Sequence, residues 1–440
     1  MKKRFLAFSA LMMALAASLA AQDKMVVWKG SESIIYNVAD VDSVTFVVSN
    51  QPEENPGNSS GDDQIPDADK NAMPSNAKQL AAKMYAGINI GNTLEAVGSW
   101  CEDEETCWGA AKVTQGLLDA YKKAGFNAVR IPVAWHSHES NPQIYEIDPA
   151  WMARIKEVVD FAMNDELYVI LNIHWDNGWL EKNCTKNMQE SVNREQAALW
   201  KQIALTFREY DEHLLFASAN EPDANNAEEA SVLKSYHQTF VNTVRETGGN
   251  NALRNLIVQA PSTAIDKAVE YDVMPTDVVE DRMMMEVHFY PYTYALMEED
   301  ADWGNAHYFW GKQYDNIYIN GVNRSVGANG WCNEAYVDGE FAKMKNRYVN
   351  QGIPVILGEY AVMNRDVTAA GKQQTFEESR AYYYEYVNRS AKNSGIVPFL
   401  WETPGNIFNR DKNSNQDNSV INPTALDGIM KGARSGNYPY

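Results

Sequence analysis

Two glutamates each stand at the end of an apolar run: Glu221 closes LLFASANEP and Glu359 closes IPVILGEYA. A carboxyl so placed sits at the rim of a buried strand, where it can meet a bound molecule. Two of them suit the cleavage of a glycosidic bond, in which one group protonates the leaving oxygen and the other stabilises or attacks the anomeric carbon. Other polar residues occupy comparable points: Arg130 in NAVRIP, His174 and Trp175 in VILNIHW, Asn220 beside Glu221, His288 and Tyr290 in MMMEVHFYP, and Trp401 after VPFL. Singly, each reads as an ordinary satisfied polar or packing residue. Together they converge on one chemistry.

The elements that must position them form a regular series. Strand-like runs occur at Tyr85 to Ile90, Ala128 to Pro132, Tyr168 to Ile173, Leu214 to Ala219, Asn255 to Gln259, Met283 to Val287, Pro354 to Leu357 and Val397 to Leu400. Between them lie stretches such as TQGLLDAYKKAG and EQAALWKQIALTFREY, with apolar residues three and four apart, as in amphipathic helices. Eight such units with near-continuous apolar strands predict an α/β fold, a (β/α)8 TIM barrel whose active site lies at the carboxyl ends of the strands. An open doubly wound sheet is the alternative. Its phosphate-binding glycine turn is not evident, because GINIGN after the first strand has the wrong spacing.

The chain resembles the catalytic domains of glycoside hydrolase family 5, secreted cellulases and mannanases, over about residues 75 to 435. Eight functional positions of that family find counterparts in order: Arg130, His174, Asn220, Glu221, His288, Tyr290, Glu359 and Trp401. The resemblance implies a retaining double displacement with Glu221 as general acid and base and Glu359 as nucleophile, their strands four and seven facing each other across the barrel. Arg130 and Tyr290 would keep Glu359 ionised, Glu221 would start protonated, Asn220 would bond the sugar 2-hydroxyl, His174 and His288 would position substrate and carboxylates, and Trp401 would carry a sugar ring. A family histidine near His138 tends to line the cleft, so His138 is a secondary candidate. The segment MYAGINIGNTLEAVG is similar to the first strand of the subfamily 4 endoglucanases, with Ile88 where Trp is common and Glu95 where Asp is common. This favours a β-glucan polysaccharide as substrate: cellulose, mixed-linkage glucan or xyloglucan. A β-mannanase, a xylanase and a non-hydrolytic glycan-binding barrel are the rivals.

Composition narrows the partners. With 38 Lys and Arg against 59 Asp and Glu the net charge is -21, which disfavours nucleic acid and anionic membranes. No apolar run of membrane-spanning length follows the N-terminus. Lys2, Lys3 and Arg4, the apolar stretch Phe5 to Leu19 and Ser18-Leu19-Ala20 read as a signal peptide over residues 1–21, cleaved near Ala20 or Ala21, with a secreted product. Residues 22–50 read as a small β-rich segment, 51–72 as a linker rich in Pro, Gly, Ser and Asp, and 73–440 as the catalytic domain. The oligomeric state is left open by the sequence.

The four cysteines are Cys101, Cys107, Cys184 and Cys332. The spacing of CEDEETC favours a local Cys101–Cys107 staple over a zinc site, with free thiols as the alternative. The HxH of Trp135-His136-Ser137-His138 lacks a third ligand of convincing spacing, and no cofactor motif is evident, so neither metal nor cofactor is expected. Trp151 and Trp200 lie on apolar helix faces and read as packing. Trp100, Trp108, Trp179, Trp303, Trp310 and Trp331 lie in loop-like sequence and read equally as sugar platforms or rim packing. Met283 to Met285 read as strand core.

Overall fold

The computed structural model describes residues 24–29, 32–37, 65–101, 105–327 and 331–440. The signal-peptide assignment and most of the linker lie outside these residues. Two compact units are present, 1–63 and 64–440. In the first, strands Lys24–Lys29 and Glu32–Asn37 pair antiparallel, with Lys24 opposite Asn37 and Lys29 opposite Glu32. The second unit begins ahead of Met73: Pro66 accepts a hydrogen bond from Gly249 N–H at 2.7 Å, and Asp69 N–H donates to Asn250 Oδ1 at 3.1 Å.

Eight parallel strands close this unit into a barrel: β1 (Gly87–Asn89), β2 (Ala128–Ile131), β3 (Tyr168–Asn172), β4 (Leu214–Ala217), β5 (Leu256–Gln259), β6 (Met283–Phe289), β7 (Val355–Tyr360) and β8 (Ile396–Leu400). Each pairs with its sequence neighbours, and β8 pairs with β1. All eight correspond to the apolar runs of the sequence. The chain's α/β class and TIM-barrel fold are thus as the periodicity requires.

Because successive strand residues point to opposite sides, every second residue faces the barrel axis. Ala128, Ile170, Leu215, Ile257, Met284, Ile356 and Val397 form one buried inner cluster. Helix Ala77–Lys83 plugs it from the amino-terminal side with Ala77, Leu80 and Ala81. Asn76 and Gln79 form a capping box that fixes the start of that helix. Two residues further along the strands the inner layer turns polar: Arg130, Asn172, Gln259 and Glu286 are all buried. The next step along β6 is His288. On β2, β3, β5 and β6 the inward series therefore runs from hydrocarbon at the floor to polar or ionisable groups at the mouth.

The β7 backbone breaks this parity. The β7–β8 register shifts between Leu357 and Tyr360, and the β6–β7 register shifts between Val287 and His288. Such an irregularity re-aims a side chain, and here it brings Glu359 to the mouth, where His288 pairs with it in register. Gly358 sits at the break because a side chain has no room: a Cβ there would lie 1.9 Å from Glu286 Oε1.

Candidate functional site

Glu221 lies four residues beyond the end of β4, and Glu359 is the penultimate residue of β7. Strands β5 and β6 lie between β4 and β7, so the two are not directly opposite as the sequence reading had them. His288 of β6 occupies the interval. Its Nδ1 is 2.6 Å from Glu221 Oε1 and 3.7 Å from Glu359 Oε2. One oxygen of each carboxylate and one His288 nitrogen all fall within 4.8 Å of one another. The Glu221 side chain is 43% exposed and that of Glu359 8%, so the first reaches into the cleft while the second is fixed in its wall.

Glu359 is held at both oxygens. Arg130 Nη1 donates to Oε1 at 3.0 Å, and the Tyr290 hydroxyl donates to Oε2 at 3.0 Å. Arg130 is itself gripped: Nη1 also reaches Asn89 Oδ1 at 3.0 Å, Nη2 donates to Asn220 Oδ1 at 2.9 Å, and Nε lies 3.0 Å from Glu286 Oε1. Glu286 in turn accepts from Gln259 Nε2 at 2.6 Å and sits 3.3 Å from His288 Nε2. Asn220 is thereby tied to Arg130 through Oδ1, and its side chain also hydrogen-bonds the Glu181 carboxylate. Arg130 and His288 lie behind the carboxylates rather than on the cleft surface.

The proton inventory departs from the sequence reading. Burial alone would lower the His288 pKa, but the charge of Glu359 and the hydrogen bonds to Glu221 and Glu286 carry it up to about 10. Burial raises Glu221, yet the hydrogen bond and charge of His288 outweigh that and hold it below the usual carboxyl value. Burial raises Glu359 against the pull of His288 and Arg130, and the Glu221 charge adds to the rise. His288 is therefore the strongest proton holder of the three, and Glu221 is the more readily ionised carboxyl. These directions run against the expectation that Glu221 starts protonated, because the imidazole is nearer to Glu221, while Arg130 and Tyr290 do pull Glu359 down as expected, against the larger effect of burial.

A cleft of about 770 Å³ lies above these groups, lined by Trp108, His174, Trp175, Asn220, Leu296 and Trp401 among others. His174 stacks parallel to Trp401, with centroids 5.8 Å apart and planes 6° apart. Burial and the charges of Arg130 and His288 keep its pKa well below the ordinary value. With Asn172 Nδ2 donating to Nδ1 at 3.1 Å, a neutral His174 presents Nε2–H. Lys182 Nζ lies 5.2 Å from the Trp175 ring centroid.

His138 does not line this cleft. It stacks on Trp151 at 3.6 Å and 3°, and burial lowers its pKa to about 4, which makes it a neutral packing ring. His136 diverges from it towards Glu195, with Nδ1 2.6 Å from Glu195 Oε1 and 3.9 Å from Glu139 Oε1. The HxH is thus no chelating pair, and the groups it lacked in sequence come from Glu139 and a distant helix. Trp108 does reach the cleft, Trp310 is fully buried, and Trp100 and Trp303 are largely exposed. Glu95 is buried and binds Asn92 and Thr93 N–H groups of its own turn. Cys101 and Cys107 form a disulfide, while Cys184 and Cys332 are free and buried.

Residues of the site that escaped the sequence reading include Asn89, Asn172, Glu181, Gln259, Thr263 and Glu286. Glu286 carries a recoverable signal, a lone acid two positions before His288 in an otherwise apolar strand. Glu181 lines the cleft and accepts the Glu221 N–H at 2.5 Å, while its own carbonyl accepts Asp223 N–H at 2.9 Å. It thereby pins the backbone that carries Glu221. Burial pushes its pKa up to about 7.

Comparison with known proteins agrees with this geometry. Residues 94–406 match the family described as Cellulase (glycosyl hydrolase family 5). The chain is 38% identical over 367 residues to the xyloglucan-specific endo-beta-1,4-glucanase of Bacteroides ovatus, spanning 80% of this chain and 70% of that protein. It is similar to the crystal structure of a xyloglucan-specific beta-1,4-glucanase from a ruminal metagenomic library in complex with XXLG, with TM-score 0.75, 38% identity and coverage of 83% of this chain and 98% of that one. It is also similar to the subfamily 4 broad-specificity endoglucanase of Ruminococcus champanellensis with bound cellotriose, with TM-score 0.67, 32% identity and coverage of 83% and 99%.

Proposed function

Because the chain belongs to glycoside hydrolase family 5, we propose that this glycoside hydrolase is a secreted, retaining endo-β-1,4-glucanase acting on plant cell-wall β-glucans. Glu359 is its nucleophile and Glu221 its acid and base. The observation that supports the reading is that Glu221 and Glu359 each bring one carboxylate oxygen to within 4.8 Å of the other, a closest-atom approach in keeping with a retaining pair. Retaining pairs stand about 5 to 5.5 Å apart, whereas inverting pairs need about 6.5 to 9.5 Å to admit a water.

In the first step a Glu359 oxygen attacks the anomeric carbon as the bond to the leaving sugar oxygen breaks. The leaving oxygen takes its proton from Glu221. That proton reaches Glu221 from His288 Nδ1 across 2.6 Å, a transfer that leaves the net charge of the cluster unchanged. Arg130 and Tyr290 stay on Glu359, so the nucleophile keeps two donors when His288 becomes neutral. In the second step Glu221, now ionised, removes a proton from water as the water attacks the anomeric carbon and the bond to Glu359 breaks. The Asn220 amide bonds the sugar 2-hydroxyl, and Trp401, backed by His174, carries a pyranose face.

Among β-glucans, the names of the relatives favour xyloglucan, and the cellotriose-bound relative keeps unbranched glucan within the reading. Reducing-sugar release by the purified enzyme on xyloglucan, mixed-linkage glucan, carboxymethylcellulose, mannan and xylan tests it. Release from glucans above the other polymers is expected. Mannan or xylan as the preferred polymer would replace it with a rival, and binding without release would leave a glycan-binding barrel.

No helix among the described residues is long and apolar enough to cross a membrane.

A further inference from the structure

Away from the cleft, a second cluster of ligand-type groups links the loop after β2 to helix Gln189–Thr206. His136, Glu139 and Glu195 each bring one donor atom to within 4.8 Å of the others. The glutamates are nearly enclosed, with side chains 3% and 12% exposed, whereas His136 is 40% exposed and opens the cluster to solvent. Glu195 is engaged by His136. Glu139 has only a longer ion pair with it: its Oε1, 3.9 Å from His136 Nδ1, is buried and has no hydrogen-bond partner. A buried carboxylate oxygen with no donor is costly, because nothing replaces the water it has lost. Asp176 stands nearby but is committed elsewhere, accepting from the N–H groups of Trp135 and Ser137.

We infer that His136, Glu139 and Glu195 form a binding site for a divalent transition-metal ion of the zinc class, with solvent as the fourth ligand. One imidazole nitrogen and two carboxylate oxygens suit a four-coordinate ion. Bonds of about 2.0 to 2.2 Å at tetrahedral angles place neighbouring donors about 3.4 Å apart. The two separations from His136 Nδ1, 2.6 Å and 3.9 Å, lie on either side of that value, and all three donor atoms fall within 4.8 Å of one another, so rotamer adjustments bring them onto one ion. Calcium and magnesium want six or more oxygens, which the cluster does not offer.

The ion would give Glu139 Oε1 its missing partner and tie the β2 loop to the helix. Trp179, stacked on His136 at 5.8 Å and 17°, connects the cluster to the loop that carries Trp175 and Glu181. The site would thus brace one wall of the cleft without touching the reacting carboxylates.

The test uses the chelator-stripped full chain, titrated with Zn²⁺ by calorimetry and with Co²⁺ by visible absorption. The site requires one ion per chain with a four-coordinate Co²⁺ spectrum, and a Zn²⁺-dependent rise in melting temperature. Affinity should fall at least about tenfold in both Glu139→Gln and His136→Gln and stay unchanged in Glu359→Gln. Retained glucanase activity without metal verifies that the two loop variants are folded. Absence of binding overturns the proposal, as does binding that survives Glu139→Gln and His136→Gln. Loss of binding in Glu359→Gln also overturns it, since the ion would then sit among Glu221, His288 and Glu359.

Discussion

His288 Nδ1 stands 2.6 Å from Glu221 Oε1, and this contact, together with the charge of Glu359 and the hydrogen bond to Glu286, strengthens the hold of the imidazole on its proton. An imidazole held between carboxylates binds its proton more tightly than a carboxyl does, so in the proposed mechanism His288 stores the acid equivalent that Glu221 delivers. Replacing His288 by Asn leaves that proton to the carboxyl pair alone. A group titrating at about 10 is thereby exchanged for one in the carboxyl range, so the alkaline limb of kcat/KM should move to lower pH. An unmoved limb would mean that the proton is never held on the imidazole.

Glu359→Ala should lower kcat on polymer by at least about 10⁴-fold, the scale seen when a covalent nucleophile is removed, while polymer binding persists. Turnover near the parent rate would remove Glu359 from the nucleophile role.

Glu221→Ala should lose polymer cleavage by a factor of about 10² to 10⁴. Aryl glycosides with acidic leaving groups need no protonation in the first step, so their bond cleavage should be far less affected. Equal losses on polymer and aryl glycoside would contradict the acid role.

Glu181 acts on Glu221 through the backbone, receiving its N–H at 2.5 Å. Glu181→Ala should lower kcat by about 10- to 100-fold through misplacement of the acid, with KM less changed. Glu181→Gln keeps an accepting oxygen and should recover most of the rate. If Gln and Ala behave alike, the hydrogen bond does not position the acid.

A methyl group at residue 358 would come 1.9 Å from Glu286 Oε1 and 2.7 Å from its Cδ. Glu286 is fully buried and fastened by Gln259 and Arg130, so it cannot retreat cheaply. Gly358→Ala should cost about 1 to 3 kcal/mol or more and displace Arg130 from Glu359. A melting temperature and turnover equal to those of the parent would show that Glu286 is not fixed there.

Residues whose side chains end a strand were legible in the sequence, because an apolar run closing on a polar residue marks a barrel mouth directly. Arg130, His174, Asn220, Glu221, His288, Tyr290, Glu359 and Trp401 all converge as that pattern implies. What lies beneath them was not legible. Glu286 and Gln259 sit inside strands, and only closure of the barrel brings them onto Arg130. The His136 cluster was equally hidden, since Glu195 joins it from a helix 59 positions away, and local spacing directed attention to His138 instead. The parity break at Gly358 is a backbone irregularity that side-chain periodicity does not announce.

The most direct test of the double displacement is the anomeric configuration of the first-formed product, followed by proton NMR during hydrolysis of a β-1,4-glucan oligosaccharide. Retention by Glu359 requires the β-hemiacetal to appear first and the α-form only later, by mutarotation. The α-hemiacetal appearing first would mean a single displacement by water, and would contradict the account of Glu221 and Glu359 given above.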